Sequence, residues 1–366
     1  MQISELLSEI EAFAPIFYQE NYDNCGVQVG NVQNEATGAL LAIDVTEETV
    51  AEAMEHGCNL IIAHHPLIFS GLKKITGAGY VERVLMKAIK NDMVIYAAHT
   101  NLDNVRQGVN HKMTQKLGLV HTRILAPAKG NLCKLYTYVP REYAGQVQDA
   151  LFAAGAGHVG NYSECSYTSP GQGTFRPGAD TNPAIGSAGG ERESVAEVKI
   201  EVLMPLALQQ KVVNTLKAAH PYEEVAYEII RLENENQTIG AGMVGELPQA
   251  LPVPEFLAHL KKQMKTACIK YTHPRGDLVK TVAVCGGSGS FLLKNAMVGN
   301  ADVFVTADCK YHQFFDAEGK IMIADIGHYE SEQFTVEIFA EILKEKFPNF
   351  ALLFTKKNTN PVNYYY

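Results

Sequence analysis

Along the first 128 residues, short unbroken apolar runs alternate with stretches whose apolar positions recur every three or four residues. ALLAIDV (39–45), NLIIAHH (59–65) and DMVIYAAHT (92–100) read as strands. TEETVAEAMEHG (46–57), opened by Thr-x-x-Thr and closed by Gly57, and VERVLMKAIKN (81–91) read as helices. Ahead of them, Ile3, Leu6, Leu7, Ile10 and Phe13 share one helical face. Strands alternating with helices predict a largely parallel sheet with both faces covered. In such sheets a ligand site lies beyond the carboxyl ends of the strands.

The pattern changes near Lys129. KLYTYVP (134–140), EVKIEVLMP (197–205) and VAYEIIRL (225–232) read as strands, with helices over 143–155 and 206–220. Between the first two strands runs a Gly-, Ser-, Thr- and Pro-rich stretch, 158–190, without periodicity. It reads as a loop, and a loop of that length is expected to contact a partner or cover something. The order of elements suggests a small ferredoxin-like unit. From about Thr238 the first rhythm resumes: helices over 252–264 and 290–300, strands over 281–287, 301–308 and 320–327, and one amphipathic helix over 329–347. Residues 1–128 and 236–366 therefore read as two halves of one α/β domain, with 129–235 as an insertion.

At 366 residues the chain is long for a single core, which agrees with more than one domain. A formal net charge of −9, with acids and bases interspersed, argues against binding nucleic acid through phosphate neutralisation. The opening MQISELLSEIEAFAP lacks a basic leader, and no apolar run approaches the ~20 residues of a membrane span. Seven cysteines without a C-x-x-C pair read as free thiols, so a reducing, cytoplasmic location is expected.

Ligand-type residues gather at four strand ends: His64-His65, His99 with Asp103, Asp308 with His312, and Asp325 with His328. In DIGHYESE, His328 and Glu332 are four apart, on one face if Gly327 opens a helix. Adjacent His64 and His65 on an extended chain point to opposite sides and are poorly placed to share one ion. Two ions about 3.5–4 Å apart would give each histidine its own metal, with carboxylates bridging. His64, His65, Asp103, His328 and Glu332 would then leave open coordination positions, as catalytic sites do. A satisfied histidine pair and a surface His–Glu pair are the plainer alternatives. CGGSGS (285–290) lies between a strand and a helix, where amides hold an anion or simply make a tight turn. His99 and His312 are candidates for proton transfer, or for support of a ligand carboxylate.

In DNCGVQVG (23–30), AIDVT (42–46), IIAHHPLIF (61–69), AAHTNLDN (97–104), CGGSGS (285–290), VTADCKYHQ (305–313) and DIGHYESE (325–332) the chain resembles the Nif-three-like dinuclear-metal proteins, also called GTP cyclohydrolase I type 2 homologs. The resemblance spans essentially the whole length. It implies a three-layer α/β domain in two chain halves carrying an inserted ferredoxin-like α+β domain. It also implies His64, His65, Asp103, His328 and Glu332 as ligands of two divalent ions, whose donor set accepts zinc, iron or manganese. HVGNYSECSYTSPGQGTFRP and HPYEEVAYEI (220–229) resemble the insertion of longer members, itself similar to trimeric nitrogen-regulatory and copper-tolerance domains. A homohexamer of two stacked trimers is the implied assembly. Cys25 stands where many relatives carry a bulkier apolar residue. The expected function is metal-dependent hydrolysis of a small anionic nucleotide or phosphorylated substrate, with GTP ring opening the reaction the family name implies. The alternative is a metal-organised regulatory or scaffold protein whose insert senses a metabolite or binds a partner.

Overall fold

The computed structural model describes residues 1–365. The chain divides into two units, one formed by Met1–Pro127 with Thr238–Tyr366 and the other by Ala128–Gln237.

The first unit holds two sheets. In one, strands Gly26–Val29, Val94–Ala97, Leu60–Ala63, Ala39–Ala42 and Leu352–Phe354 lie side by side in that order. All pair in parallel except Gly26–Val29 at the edge. The three inner strands are buried at every position. That is why they read as unbroken apolar runs rather than as alternation. In the second sheet Leu278–Ser288, Val303–Ala307 and Met322–Asp325 run parallel, flanked by antiparallel neighbours. Each chain half lends the other an element: Leu352–Phe354 returns to the first sheet and Val120–Ala128 joins the second. Such an exchange makes the halves one folding unit. Helix Thr335–Lys346 packs on helices Ile3–Phe13 and Val109–Leu117 and on strand Ala39–Ala42, while Val109–Leu117 packs on strand Leu278–Ser288.

Helix Glu47–Glu55 starts as its sequence requires. The Thr46 hydroxyl accepts from the Thr49 amide, and the Thr49 hydroxyl accepts from the Thr46 amide. The helix expected over 329–347 is instead two, His328–Glu332 and Thr335–Lys346, separated by a turn at Gln333 and Phe334. Phe334 is buried in the core of the second sheet. The short first helix thereby carries its polar residues separately from the amphipathic one.

The second unit is a four-stranded antiparallel sheet in the order Ser166–Phe175, Glu193–Pro205, Leu132–Pro140, Tyr227–Leu232, with helices Ala144–Ala153 and Gln209–Ala219. Strand, helix, strand, strand, helix, strand is the order of a ferredoxin-like unit. One strand lies inside the stretch expected to be a loop. Ser166–Phe175 pairs along its whole length with Glu193–Pro205, although Pro170, Gly171 and Gly173 interrupt it and none of its residues is fully buried. It is an edge strand held by backbone pairing, so it needs no apolar alternation, and edges tolerate proline.

Candidate metal centre

The parallel strands of both sheets deliver polar residues to one place. His64 and His65 follow Leu60–Ala63, Asp44 follows Ala39–Ala42, and His99 follows Val94–Ala97 with Asp103 on the next short helix. From the other sheet, Asp308 follows Val303–Ala307, and His328 and Glu332 follow Met322–Asp325.

Each ligand-type imidazole is fixed through Nδ1. His64 Nδ1 is 2.8 Å from the Ala98 carbonyl, His65 Nδ1 is 2.7 Å from Asp44 Oδ1, and His328 Nδ1 is 2.7 Å from Asp308 Oδ2. Carbonyls and carboxylates only accept, so all three Nδ1 atoms donate and all three Nε2 atoms are left toward the centre. There Glu332 divides its oxygens. Oε2 lies 3.0 Å from His65 Nε2 and 3.1 Å from His328 Nε2, while Oε1 lies 3.8 Å from His64 Nε2. His64 Nε2 is in turn 3.7 Å from Asp103 Oδ1. These last two atoms are buried and have no hydrogen-bond partner. On the other side, His65 Nε2 and His328 Nε2 stand 3.2 Å apart against one carboxylate oxygen. Lone pairs this close need protons or a cation between them.

Without ions, protons serve. Burial pushes His65 down, but hydrogen bonds to Asp44 and Glu332 outweigh it and raise the group to about 10. Burial likewise opposes His328, which Glu332 and Asp308 nevertheless raise to about 9. Burial would raise Glu332, yet the charge of His64 and the histidine hydrogen bonds hold it well below the carboxylate range. Asp103 is raised: burial dominates, and His64 offsets only part of it. The donor set is that of a divalent ion bound by imidazole and carboxylate, and His65, His328 and Glu332 are grouped tightly enough to hold one. The cluster opens onto a cleft of about 610 Å³. Its lining includes His65, His99, Asp103, His328 and Glu332, the rings of Tyr22, Phe69 and Phe291, and Glu20, and it contains no lysine or arginine.

The sequence model of the Duf34/NIF3 (NGG1p interacting factor 3) family matches residues 1–361. The chain belongs to the Duf34/NIF3 family. It is 39% identical over 360 residues to a Halalkalibacterium halodurans protein named GTP cyclohydrolase 1 type 2 homolog, covering 97% of this chain and 96% of that one. A Bacillus subtilis protein of the same name is 38% identical over 327 residues, covering 89% and 87%. The crystal structure of a Bacillus cereus protein related to NIF3 superposes with a TM-score of 0.87 at 38% identity, covering 100% of this chain and 99% of that one.

In this Duf34/NIF3 chain the histidine doublet departs from the expected opposite orientation. The strand ends at Ala63 and the chain bends at His64 and His65, so the two rings lie 5.0 Å apart with a 42° tilt. They still approach different oxygens of Glu332. His99 joins the cluster, its ring 5.3 Å from that of His64 and 5.4 Å from that of His65. His312 does not. The chain turns at Asp308, whose φ of 54° is left-handed, and runs into the 3-10 helix Tyr311–Ala317. There His312 is exposed against Tyr311 and Phe315 and lies outside the cleft lining. That placement removes the basis for giving His312 a proton-transfer role within this chain.

The glycine run of the family chain is the irregular end of strand Leu278–Ser288, not an anion cradle. The amides of Gly286, Gly287 and Gly289 donate to Asn110 Oδ1, Ser331 Oγ and Thr306 Oγ1. Gly287, at φ 59°, is needed for another reason: a Cβ there would collide with Glu332 Oε1. Asp325 likewise serves the backbone, accepting from the amides of Cys309 and Gly327. Sequence reasoning missed the carboxylates behind the histidines, Asp44 on His65 and Asp23 on His99, and it noted Asp308 without assigning it to His328. Asp23 Oδ1 is 2.9 Å from His99 Nδ1, and its Oδ2 accepts from the amide and hydroxyl of Thr100. For Asp44 and Asp308 a place at a strand end, in AIDVT and VTAD, was the available signal. Asp23 had none beyond its motif. Of the expected thiols, all seven are unpaired. Among the described residues no helix is long and apolar enough to cross a membrane.

Proposed function

We propose that this centre holds two divalent ions, of zinc, iron or manganese, and hydrolyses a small anionic nucleotide or phosphorylated substrate. The observation that supports it is the division of Glu332, with Oε1 facing His64 and Asp103 and Oε2 facing His65 and His328. One bridging carboxylate serves two donor sets, and three imidazoles with two carboxylates leave coordination positions open on two ions. Two such ions supply Lewis-acid polarisation of a substrate oxygen and activation of water at neutral pH.

The chain's own residues supply the rest. His99, held through Nδ1 by Asp23, borders the cleft and can pass a proton to or from a reacting group there. Tyr22, Phe69 and Phe291 are 65%, 51% and 67% exposed around the cleft, ring faces on which a planar base can stack. No lysine or arginine lines the cleft, so with His65 and His328 committed to metal an anion there is balanced by the ions. GTP ring opening, suggested by the relatives' name, is the first reaction to test. Formate release from GTP and phosphate release from esters are to be measured on protein of known metal content. Turnover abolished by His65→Ala in a folded chain supports the reading. Fully metallated protein that turns over neither GTP nor any phosphate ester overturns it, and leaves the regulatory or scaffold reading.

We also propose that the chain assembles as a homohexamer of two stacked trimers. Tyr311 and Phe315 are 73% and 65% exposed, apolar surface of the kind association covers. Sedimentation showing a monomer or dimer at micromolar concentration would refute it.

A further inference from the structure

Two stretches that the sequence singled out, the Gly- and Pro-rich 158–190 and HPYEEVAYEI, have no part in the metal centre. In the second unit they converge. The edge strand Ser166–Phe175, the strap that follows it and Tyr222–Glu224 line one cavity of about 680 Å³. The strap is tied down: Glu223 accepts from the Asn182 amide at 3.0 and 3.1 Å, and the Gly189 amide donates to the Gly178 carbonyl at 2.8 Å.

His220 explains why Tyr222 stands where it does. Its Nε2 donates to the Tyr138 carbonyl at 3.0 Å and its Nδ1 accepts from the Tyr222 amide at 3.1 Å, so both nitrogens are engaged. Tyr222 in turn donates its hydroxyl to Glu197 Oε1 at 3.0 Å and packs edge-on to Phe175, centroids 5.7 Å apart. Gly173 makes room, since a Cβ there would collide with the Glu197 carboxylate. Burial and Glu197 both raise the Tyr222 hydroxyl, which therefore stays a donor.

The charges of the lining sort themselves. Lys199 shares Glu201 with Lys134, at 3.0 and 2.9 Å, and lies over the Tyr136 ring, and Arg176 is paired with Glu191 at 3.4 Å. Glu223 is spent on the strap. The lining carries three carboxylates, Glu197, Glu223 and Glu224, against Lys199 and Arg176, and among the described residues Glu224 and the second oxygen of Glu197 have no hydrogen-bond or ion-pair partner. Glu197 borders a cavity whose lining also includes Tyr138, Phe175 and Tyr222. A carboxylate among aromatic rings is the environment that receives an organic cation.

We propose that this cavity binds a small organic ammonium ligand, its head held by Glu197 among Tyr138, Phe175 and Tyr222. The proposal is independent of any reaction at the metal centre.

The full-length protein is to be titrated calorimetrically with putrescine, glycine betaine and L-leucine as ammonium probes, and with succinate and AMP as anions. The chain has no tryptophan and 17 tyrosines, so the difference in ligand-induced tyrosine fluorescence between the parent protein and Tyr222→Phe provides a second readout. At least one ammonium probe is expected to bind, and neither anion. Glu197→Gln is expected to weaken binding about tenfold or more, and Tyr222→Phe, which keeps the ring, by less. Metal content and circular dichroism should be those of the parent protein in both variants, which separates a lost site from a lost fold. Preference for the anions, undiminished affinity in Glu197→Gln, or no ammonium binding up to millimolar concentration overturns the proposal.

Discussion

Glu332→Gln tests the metal centre at its least replaceable atom pair. The carboxylate is 3% exposed and within 3.1 Å of two imidazoles. In chelator-treated protein the change removes the anion of a buried ion cluster. Breaking such a cluster costs about 3–5 kcal/mol, or roughly 6–20 °C in Tm for a unit of about 250 residues. His65 and His328 can shed their protons once the anion is gone, so the loss should fall toward the lower end of that range. The second arm measures metal. Saturating the parent protein at about 100 times Kd adds about 2.7 kcal/mol per independent ion. An amide offers one oxygen where the carboxylate offers two, so the variant cannot serve both donor sets. Calorimetry with and without chelator, together with elemental analysis, should show a lower Tm without metal, a smaller rise with it, and fewer ions per chain. A variant that keeps two ions and the parent's metal-induced rise would sink the bridging geometry.

Three further outcomes are expected. Gly287→Ala should cost only about 1–2 kcal/mol of stability for its left-handed φ, yet strip metal by displacing Glu332; parent metal content in the variant would refute the contact. Asp44→Asn should weaken metal binding about 10–100-fold and Asp308→Asn less, because Asp308 is 48% exposed and water can replace it, while Asp44 is 33% exposed and also held by Thr359; equal effects in competition titrations would contradict this. With His65 raised to about 10 and His328 to about 9, their contribution to the metal-free fold is full below about pH 6.5 and fades as pH rises through 9 to 10. Metal uptake at pH 7 should accordingly release roughly two protons per chain in an unbuffered titration, and none would mean the imidazoles are already neutral.

Much of the first unit was legible because fully buried parallel strands leave a plain signal. Leu60–Ala63 and Val94–Ala97 are buried at every position, and the capping pair Thr46 and Thr49 marked a helix start. The residues that meet at the candidate metal centre were legible for the same reason: a polar residue that ends such a run stands out. What stayed hidden had its cause in pairing rather than in side chains. Strand Ser166–Phe175 carries two glycines and a proline, and its partner, not its own composition, makes it a strand. The break at Gln333 was invisible because Phe334 continues the apolar periodicity while the backbone turns. That two sheets exist, rather than one, follows from where Leu352–Phe354 and Val120–Ala128 insert, which no local pattern encodes.

The residues behind the ligands show the limit most sharply. Asp23 and His99 are 76 positions apart and meet at 2.9 Å; Asp44 and His65 are 21 apart and meet at 2.7 Å. An aspartate at a strand end is equally suited to hold a turn, as Asp325 does, or to hold an imidazole, as Asp44 does. Only the neighbouring strand decides between them. His65 follows Leu60–Ala63, which pairs in register with Ala39–Ala42 and so sets the imidazole beside Asp44. The residues of the candidate metal centre are therefore written in the sequence by type, and their orientation is written in sheet register. Substitutions that shift register without touching a ligand should accordingly damage the centre as much as substitutions of Asp44 itself.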